Sequence, residues 1–403
     1  MPRVAVTGIG VVCALGRNTN EFSQSLRHGR SGIARIEGPD VSKLRFSNGA
    51  QVRGYSHSPH FGDREADFLD RFAQFAVIAA REAVTDANIE WTLDLKTNSA
   101  VITGSCVGGQ NTEDSGFQIL YGQQLSRVNP LTIPKVMASA GASHISMDFG
   151  ITGPSLTFST ACSSAGHAIG HAFRMIKHGD APLAITGGSE APFSWGLLKS
   201  WEAMRVVSPD TCRPFSKGRT GMVLGEGAAM FVLEPLEAAL ARGARIHAEI
   251  IGFGMSSDAT HITQPSQAGA SLAMRGALRE AGIVPEEIGY INAHGTGTIA
   301  NDVSEAAAIR NVFSDHTHRI AVSSTKSLHG HALGAAAALE AAATVLALRD
   351  GVLPPTANFL GPDPDCDLNV IANEARVVQV GHALSNSFAF GGMNAVLAFR
   401  ASS

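Results

Sequence analysis

The chain has 403 residues, far beyond the ~150 of one ordinary domain, so two domains or one large duplicated body are expected. Hydrophobic residues make up 44% and charged residues 16%, against ~25% charged in an average globular protein, which leaves too little charge to coat separate globules and predicts a large core with a buried subunit interface. A net charge of −4 from 31 basic and 35 acidic residues, with no basic block, excludes nucleic acid as a partner.

The opening run VAVTGIGVVCALG is apolar, but it is short, broken by Thr7 and three glycines, and preceded by Arg3 alone. It reads as a strand over Val4 to Ile9 rather than a signal peptide. Its Gly8-x-Gly10 pair lacks the third glycine and the following helix of a dinucleotide site. A helix is predicted from about Phe68 to Ala87, with Phe68, Phe72, Phe75, Ala76 and Ala79 on one face. Strands follow at Ala100 to Thr103, Ser155 to Ser159 and Leu183 to Thr186. The segment after Ser159 runs through Ala161-Cys162 into a helix whose Ala165, Ala168, Ile169, Ala172, Phe173 and Ile176 share a face, and Gly179 stops it.

The second half repeats this layout. AEIIGFGMS is similar to VAVTGIGVV, a helix near Leu272 to Ala281 precedes the strand IGYINA, and IAVSST leads into an alanine-rich helix and a closing hairpin. That order predicts a layered α/β fold of two similar halves, residues 1–240 and 241–403, packed face to face with no linker between them. The run Ala332 to Leu348 is interrupted by Glu340 and falls short of the ~20 apolar residues that span a bilayer, so no membrane segment is expected. The five cysteines are odd in number, widely spaced and without a CxxC pair, which argues against a disulfide framework or thiolate zinc site and for a cytoplasmic protein.

Cys162 is the first candidate for chemistry. Unpaired N–H groups and the dipole at a helix start favour a negative charge, which would lower a thiol from ~8.5 toward neutrality. The plain alternative is a small buried hydrophobe. Two further strand ends carry histidines: IGYINA runs into His294-Gly-Thr-Gly-Thr, and IAVSST into Lys326-Ser-Leu-His-Gly-His331. α/β active sites collect at such places. Zinc at His167/His171 or His329/His331 would lack an evident third ligand and the glutamate of HExxH, so no metal is expected.

The motifs TACSSAGHAIGHA, AHGTGTIANDVSEAAAI, TKSLHGHALGAAAALEA and SNSFAFGGMNA together resemble the β-ketoacyl-acyl-carrier-protein synthases of the thiolase superfamily, above all the elongating type II condensing enzymes. The resemblance runs nearly the whole chain and implies the five-layered α/β/α/β/α thiolase fold as a dimer. By position, Cys162 corresponds to the acyl-accepting nucleophile, His294 and His331 to the paired histidines, Lys326 to the family lysine and Glu340 to its acidic partner. Thr296 and Thr298 correspond to the threonines that hold phosphopantetheine, and Phe390 to the gating phenylalanine, whose amide joins that of Cys162 in an oxyanion hole. The implied reaction is acyl transfer to Cys162 followed by decarboxylative condensation with malonyl carrier protein, with no cofactor.

The implied partners are acyl carrier protein and either a second copy or a chain-length-factor-like subunit. Docking is assigned to Arg127, Arg205, Arg213, Lys217 and Arg219, because GDREADFLDRF is more acidic than the family's usual docking face. Ala389, Thr260 and Thr132 depart from the residues common in housekeeping enzymes, which points toward a polyketide or polyene pathway. A non-catalytic chain-length subunit is the rival reading, against which Cys162, His294 and His331 all stand. A thiolase acting on coenzyme A esters would want a second catalytic cysteine near the carboxyl terminus, where SNSFAFGGMNA has none.

Overall fold

In the computed structural model, which describes residues 1–402, ten strands join into one mixed sheet. In chain order they are β1 (Val4–Cys13), β2 (Ala100–Gly104), β3 (Ser155–Phe158), β4 (Ala184–Glu190), β5 (Gly227–Pro235), β6 (Ala248–Ser257), β7 (Ile288–Asn292), β8 (Ala321–Ser323), β9 (His382–Phe388) and β10 (Met393–Ala401). Their spatial order is β3-β2-β4-β5-β1-β6-β10-β9-β7-β8. The first five strands and the last five therefore have one topology, two strands in antiparallel pairing followed by three parallel ones, read outward from a shared seam. The seam is short: β1 and β6 pair antiparallel at Val4–Ile250, Ala5–Glu249 and Val6–Ala248.

Five long helices complete the layers: α1 (Arg71–Ala87), α2 (Ser164–His178), α3 (Gln267–Ala281), α4 (Ile299–Phe313) and α5 (Ala336–Asp350). α1 covers the outer face of the first unit, where Phe72, Phe75, Ala76 and Ala79 join one core. α3 and α4 cover the outer face of the second in another. α2 and α5 lie between the units in the largest core, giving α/β/α/β/α. Every residue of α5 from Ala336 to Leu348 is buried, so this helix needs no polar face. No described helix is long and apolar enough to cross a membrane.

Phe68 is a correction to the sequence expectation. Asp70 caps α1 by accepting the Phe72 N–H at 3.2 Å, so the helix starts at Arg71 and Phe68 stays outside it, 45% exposed. The Gly8-x-Gly10 pair has a packing role. A β-carbon at Gly8 or Gly10 would sit 2.0 or 1.9 Å from the carbonyl oxygens of Ala83 and Ala79 in α1. Gly252 and Gly254 of β6 meet the oxygens of Ala277 and Ala273 in α3 at 2.4 and 1.9 Å in the same way. Glycine lets the helix backbone ride on the strand, and the faint likeness of the two segments records this shared contact.

Candidate active site

Beyond β3 the chain reverses sharply. Ala161 takes φ +50°, a conformation that costs a non-glycine residue energy and is kept only when its surroundings enforce it. Ser164 Oγ accepts the Thr160 N–H at 2.9 Å and donates to the Ala161 carbonyl at 2.6 Å. Ser163 Oγ donates to the carbonyl of Met393 at 2.9 Å, anchoring the turn to the start of β10. The result is a 3-10 turn over Ala161–Ser163 that presents Cys162 at the start of α2.

From the second unit, His294 follows β7 and the Lys326–His331 segment follows β8. The rings of His294 and His331 stand edge to face with centroids 5.5 Å apart, and both line a cavity of about 120 Å³ together with Cys162. Lys326 is fully buried. Its Nζ donates to the His294 carbonyl at 2.6 Å, lies 3.2 Å from His294 Nδ1 and pairs with Glu340. Three acceptors meet the three N–H bonds of an ammonium.

Those partners settle where the histidine protons sit. Burial, and then the Lys326 charge, hold both His294 and His331 well below the usual imidazole range, so both are neutral. The Lys326 ammonium can only donate, which makes His294 Nδ1 an acceptor and leaves its proton on Nε2. His331 Nδ1 accepts the Leu333 N–H at 3.1 Å, so its proton is on Nε2 as well. Two neutral N–H donors thus serve one cavity, an arrangement suited to an oxyanion.

The thiol differs from the sequence expectation. Burial pushes Cys162 up to about 11, against the opposing pull of Lys326 and of the backbone N–H groups of Phe390 and Cys162 itself. The helix start does not overcome the loss of water around a buried sulfur. Cys162 is nonetheless displaced least among the cysteines, since burial drives Cys13, Cys212 and Cys366 to about 12 and Cys106 higher still. The Phe390 amide facing the sulfur belongs to the hairpin between β9 and β10, which turns on Gly391 and Gly392 at φ +82° and +71°. The Phe390 ring stacks on Trp201 at 6.2 Å, and the Gly391 N–H donates to the Ile262 carbonyl at 2.7 Å.

Thr296 and Thr298 also line the cavity, their hydroxyls 2.8 Å apart. Two acids inside the same sequence motif went unremarked in the sequence reading. Glu305 accepts the backbone N–H groups of His294 and Gly295 at 2.8 and 2.7 Å, and Asp302 accepts that of Phe215 at 2.8 Å. Both are buried on α4, and their i, i+3 spacing among alanines was the available signal. Thr132 and Thr260 are not among the described residues that line the cavity, and Thr260 is exposed.

The proposed docking residues divide. Arg127, Arg205 and Lys217 are exposed, while Arg213 pairs with Asp210 at 2.8 Å. Arg219 is a correction: it is buried and bound between Asp302 and Asp363, so it offers no charge at the surface. The histidines weighed for zinc have other company. His167 Nδ1 lies 3.0 Å from Thr160 Oγ1, His171 stacks on Phe158 at 4.6 Å, and His329 bridges Thr325 Oγ1 and the Gly330 carbonyl at 2.9 and 2.8 Å.

The family model "Beta-ketoacyl synthase, N-terminal domain" matches residues 1–239, and "Beta-ketoacyl synthase, C-terminal domain" matches residues 247–360. Nodulation protein E of Rhizobium meliloti (strain 1021) is 46% identical over 99% of both chains. The 3-oxoacyl-[acyl-carrier-protein] synthase 2 of Staphylococcus aureus (strain COL) is 38% identical over 99% of this chain and 98% of its own. A solved structure described as the ishigamide ketosynthase/chain length factor superposes with a TM-score of 0.95 at 36% identity, covering 100% of both chains. With this match spanning both units and their strand ends, the chain belongs to the β-ketoacyl synthase family and has its thiolase fold.

Proposed function

We propose that this chain is a catalytically competent β-ketoacyl-carrier-protein synthase that extends an acyl chain by decarboxylative condensation. The observation that carries the reading is the convergence of one thiol and two neutral imidazole N–H donors on a single cavity. In the first half-reaction the Cys162 sulfur attacks the carrier thioester, the carrier C–S bond breaks, and the thiol proton ends on the departing carrier thiol. The Cys162 and Phe390 amides are the donors for the oxyanion of that step. In the second, a malonyl thioester loses carbon dioxide, and its electron pair forms an enolate whose oxygen accepts from His294 and His331. The enolate carbon attacks the Cys162 thioester, the C–S bond breaks, and the released thiolate takes a proton from water. Atoms and electrons balance with no cofactor.

The acyl carrier protein named for the Staphylococcus relative and the chain length factor in the ishigamide structure support the same classes of partner here. Arg127, Arg205 and Lys217 are the docking charges of choice. The outer strand β3 exposes Leu156 at 53%, and the helix Ala140–Phe149 beside it exposes Met147 at 65%, which supports a dimer through this edge, with a second copy or a chain-length-factor-like subunit. The five free thiols suit the reducing cytoplasm. The test is Cys162→Ala: it should abolish acyl transfer from acyl carrier protein yet retain carbon dioxide release from malonyl carrier protein. The opposite pattern would overturn the roles.

A further inference from the structure

Glu190, the last residue of β4, is fully buried, and among the described residues no cation pairs with it. Its carboxylate gathers four donors instead. Oε1 accepts from Ser105 Oγ at 3.0 Å and the Val107 N–H at 3.2 Å. Oε2 accepts from the Cys106 N–H at 2.7 Å and the Gly334 N–H at 3.0 Å. The first three belong to the loop after β2 in the first unit, and the fourth to the second. Gly334 lies in the 3-10 turn Leu333–Ala335, which begins with Leu333 in the strained φ +44° conformation. The N–H of that same Leu333 holds the proton of His331 on Nε2. The fit is close, since a β-carbon on Gly334 would stand 2.4 Å from Cys106 N and 2.6 Å from Glu190 Oε2.

We infer that Glu190 is a positioning residue for His331, clamping the strained Leu333–Ala335 turn so that the Leu333 amide fixes the imidazole as an Nε2–H donor. The inference rests on the condensing function proposed above. A carboxylate suits the task because all four partners donate; an amide would turn two of those contacts into N–H facing N–H or O–H.

Glu190→Gln tests it in two backgrounds. In the otherwise native protein, carbon dioxide release from malonyl carrier protein should fall ~10-fold or more, part of the ~10²–10³-fold that a lost oxyanion donor costs. Alkylation of Cys162 by iodoacetamide should stay within ~2-fold. In a His331→Ala background the same change should produce no further loss, because residues acting through one another are non-additive. Equal losses in both assays, or an unchanged penalty without His331, would overturn the inference and leave Glu190 a structural residue. Where Glu190→Gln does not fold, judged by circular dichroism, Glu190→Asp keeps the charge while withdrawing it by one methylene; the same split is expected and an even loss overturns. A native protein that releases no carbon dioxide would bring down the proposed function, and this inference with it.

Discussion

Lys326→Met isolates the electrostatic centre of the site. The native ammonium spends its three protons on the His294 carbonyl, His294 Nδ1 and Glu340, all of them buried. Removing it leaves the Glu340 carboxyl, already pushed to about 7 by burial, without the charge that opposes that shift, so it becomes protonated at neutral pH. Neutralisation limits the stability loss to the lower end of the ~3–5 kcal/mol seen when one partner of a buried pair is deleted. The larger effect is on His294. Its Nδ1 loses the donor that makes it an acceptor, so the ring proton is free to move there and one of two enolate donors is lost. One such donor is worth ~2.7–4 kcal/mol, or ~10²–10³-fold in rate. Carbon dioxide release from malonyl carrier protein is the direct assay, with thermal unfolding to show that the variant is folded. Cys162 should also alkylate more slowly, because Lys326 is the largest of the influences that favour its thiolate. A folded Lys326→Met protein that decarboxylates within ~3-fold of the native rate would refute the claim that this lysine sets the imidazole tautomer.

Iodoacetamide should modify Cys162 before the other cysteines, with a rate still rising above pH 9 because the thiol is held at about 11; a plateau near pH 7, or Cys212 labelled first in a mass-spectrometric digest, would contradict this. Arg219→Ala should destabilise the fold by ~3–5 kcal/mol through its orphaned partners Asp302 and Asp363, measured by urea unfolding. Arg205→Ala and Lys217→Ala should instead raise KM for the carrier protein with Tm unchanged. Gly254→Ala should lower stability by ~1–3 kcal/mol, since its β-carbon would lie 1.9 Å from the Ala273 oxygen and α3 would have to move off the sheet; an unchanged Tm would refute the packing role of the paired glycines.

The fold was legible wherever one residue type had one reason to be there. Period 3.6 runs marked α1 and α2, and the repeated G-x-G segments marked the duplicated strands β1 and β6. Phe68 misled because periodicity continues through a residue that Asp70, acting as a cap, excludes from the helix. Cys162, His294 and His331, which share one cavity, stood out because strand ends concentrate chemistry, but Glu190 and Glu305 meet backbone amides, and no side-chain pattern reports which amides a carboxylate will meet. Arg219 shows the reverse failure. A basic residue in a polar stretch reads as a surface charge until tertiary structure supplies the buried Asp302 and the partly exposed Asp363.

The high thiol value follows from the same burial that makes the site work. Burial deep enough to keep His294 and His331 neutral cannot also stabilise a free thiolate cheaply, and the two demands fall on one space. The chemistry resolves the conflict by spending little time with charge on sulfur. In the proposed reaction, acylation turns Cys162 into a neutral thioester, so burial that disfavours the thiolate favours the acyl-enzyme relative to it. A thiolate of raised pKa is also intrinsically the stronger nucleophile. In the proposed condensation, negative charge forms next on the enolate oxygen, which accepts from the two imidazole N–H groups. A site that lowered the thiol toward neutrality, as the helix start alone suggested, would do so with extra positive charge or admitted water. A second cation would have to be desolvated beside Lys326, and water would quench the enolate by protonation before it reached the acyl carbon.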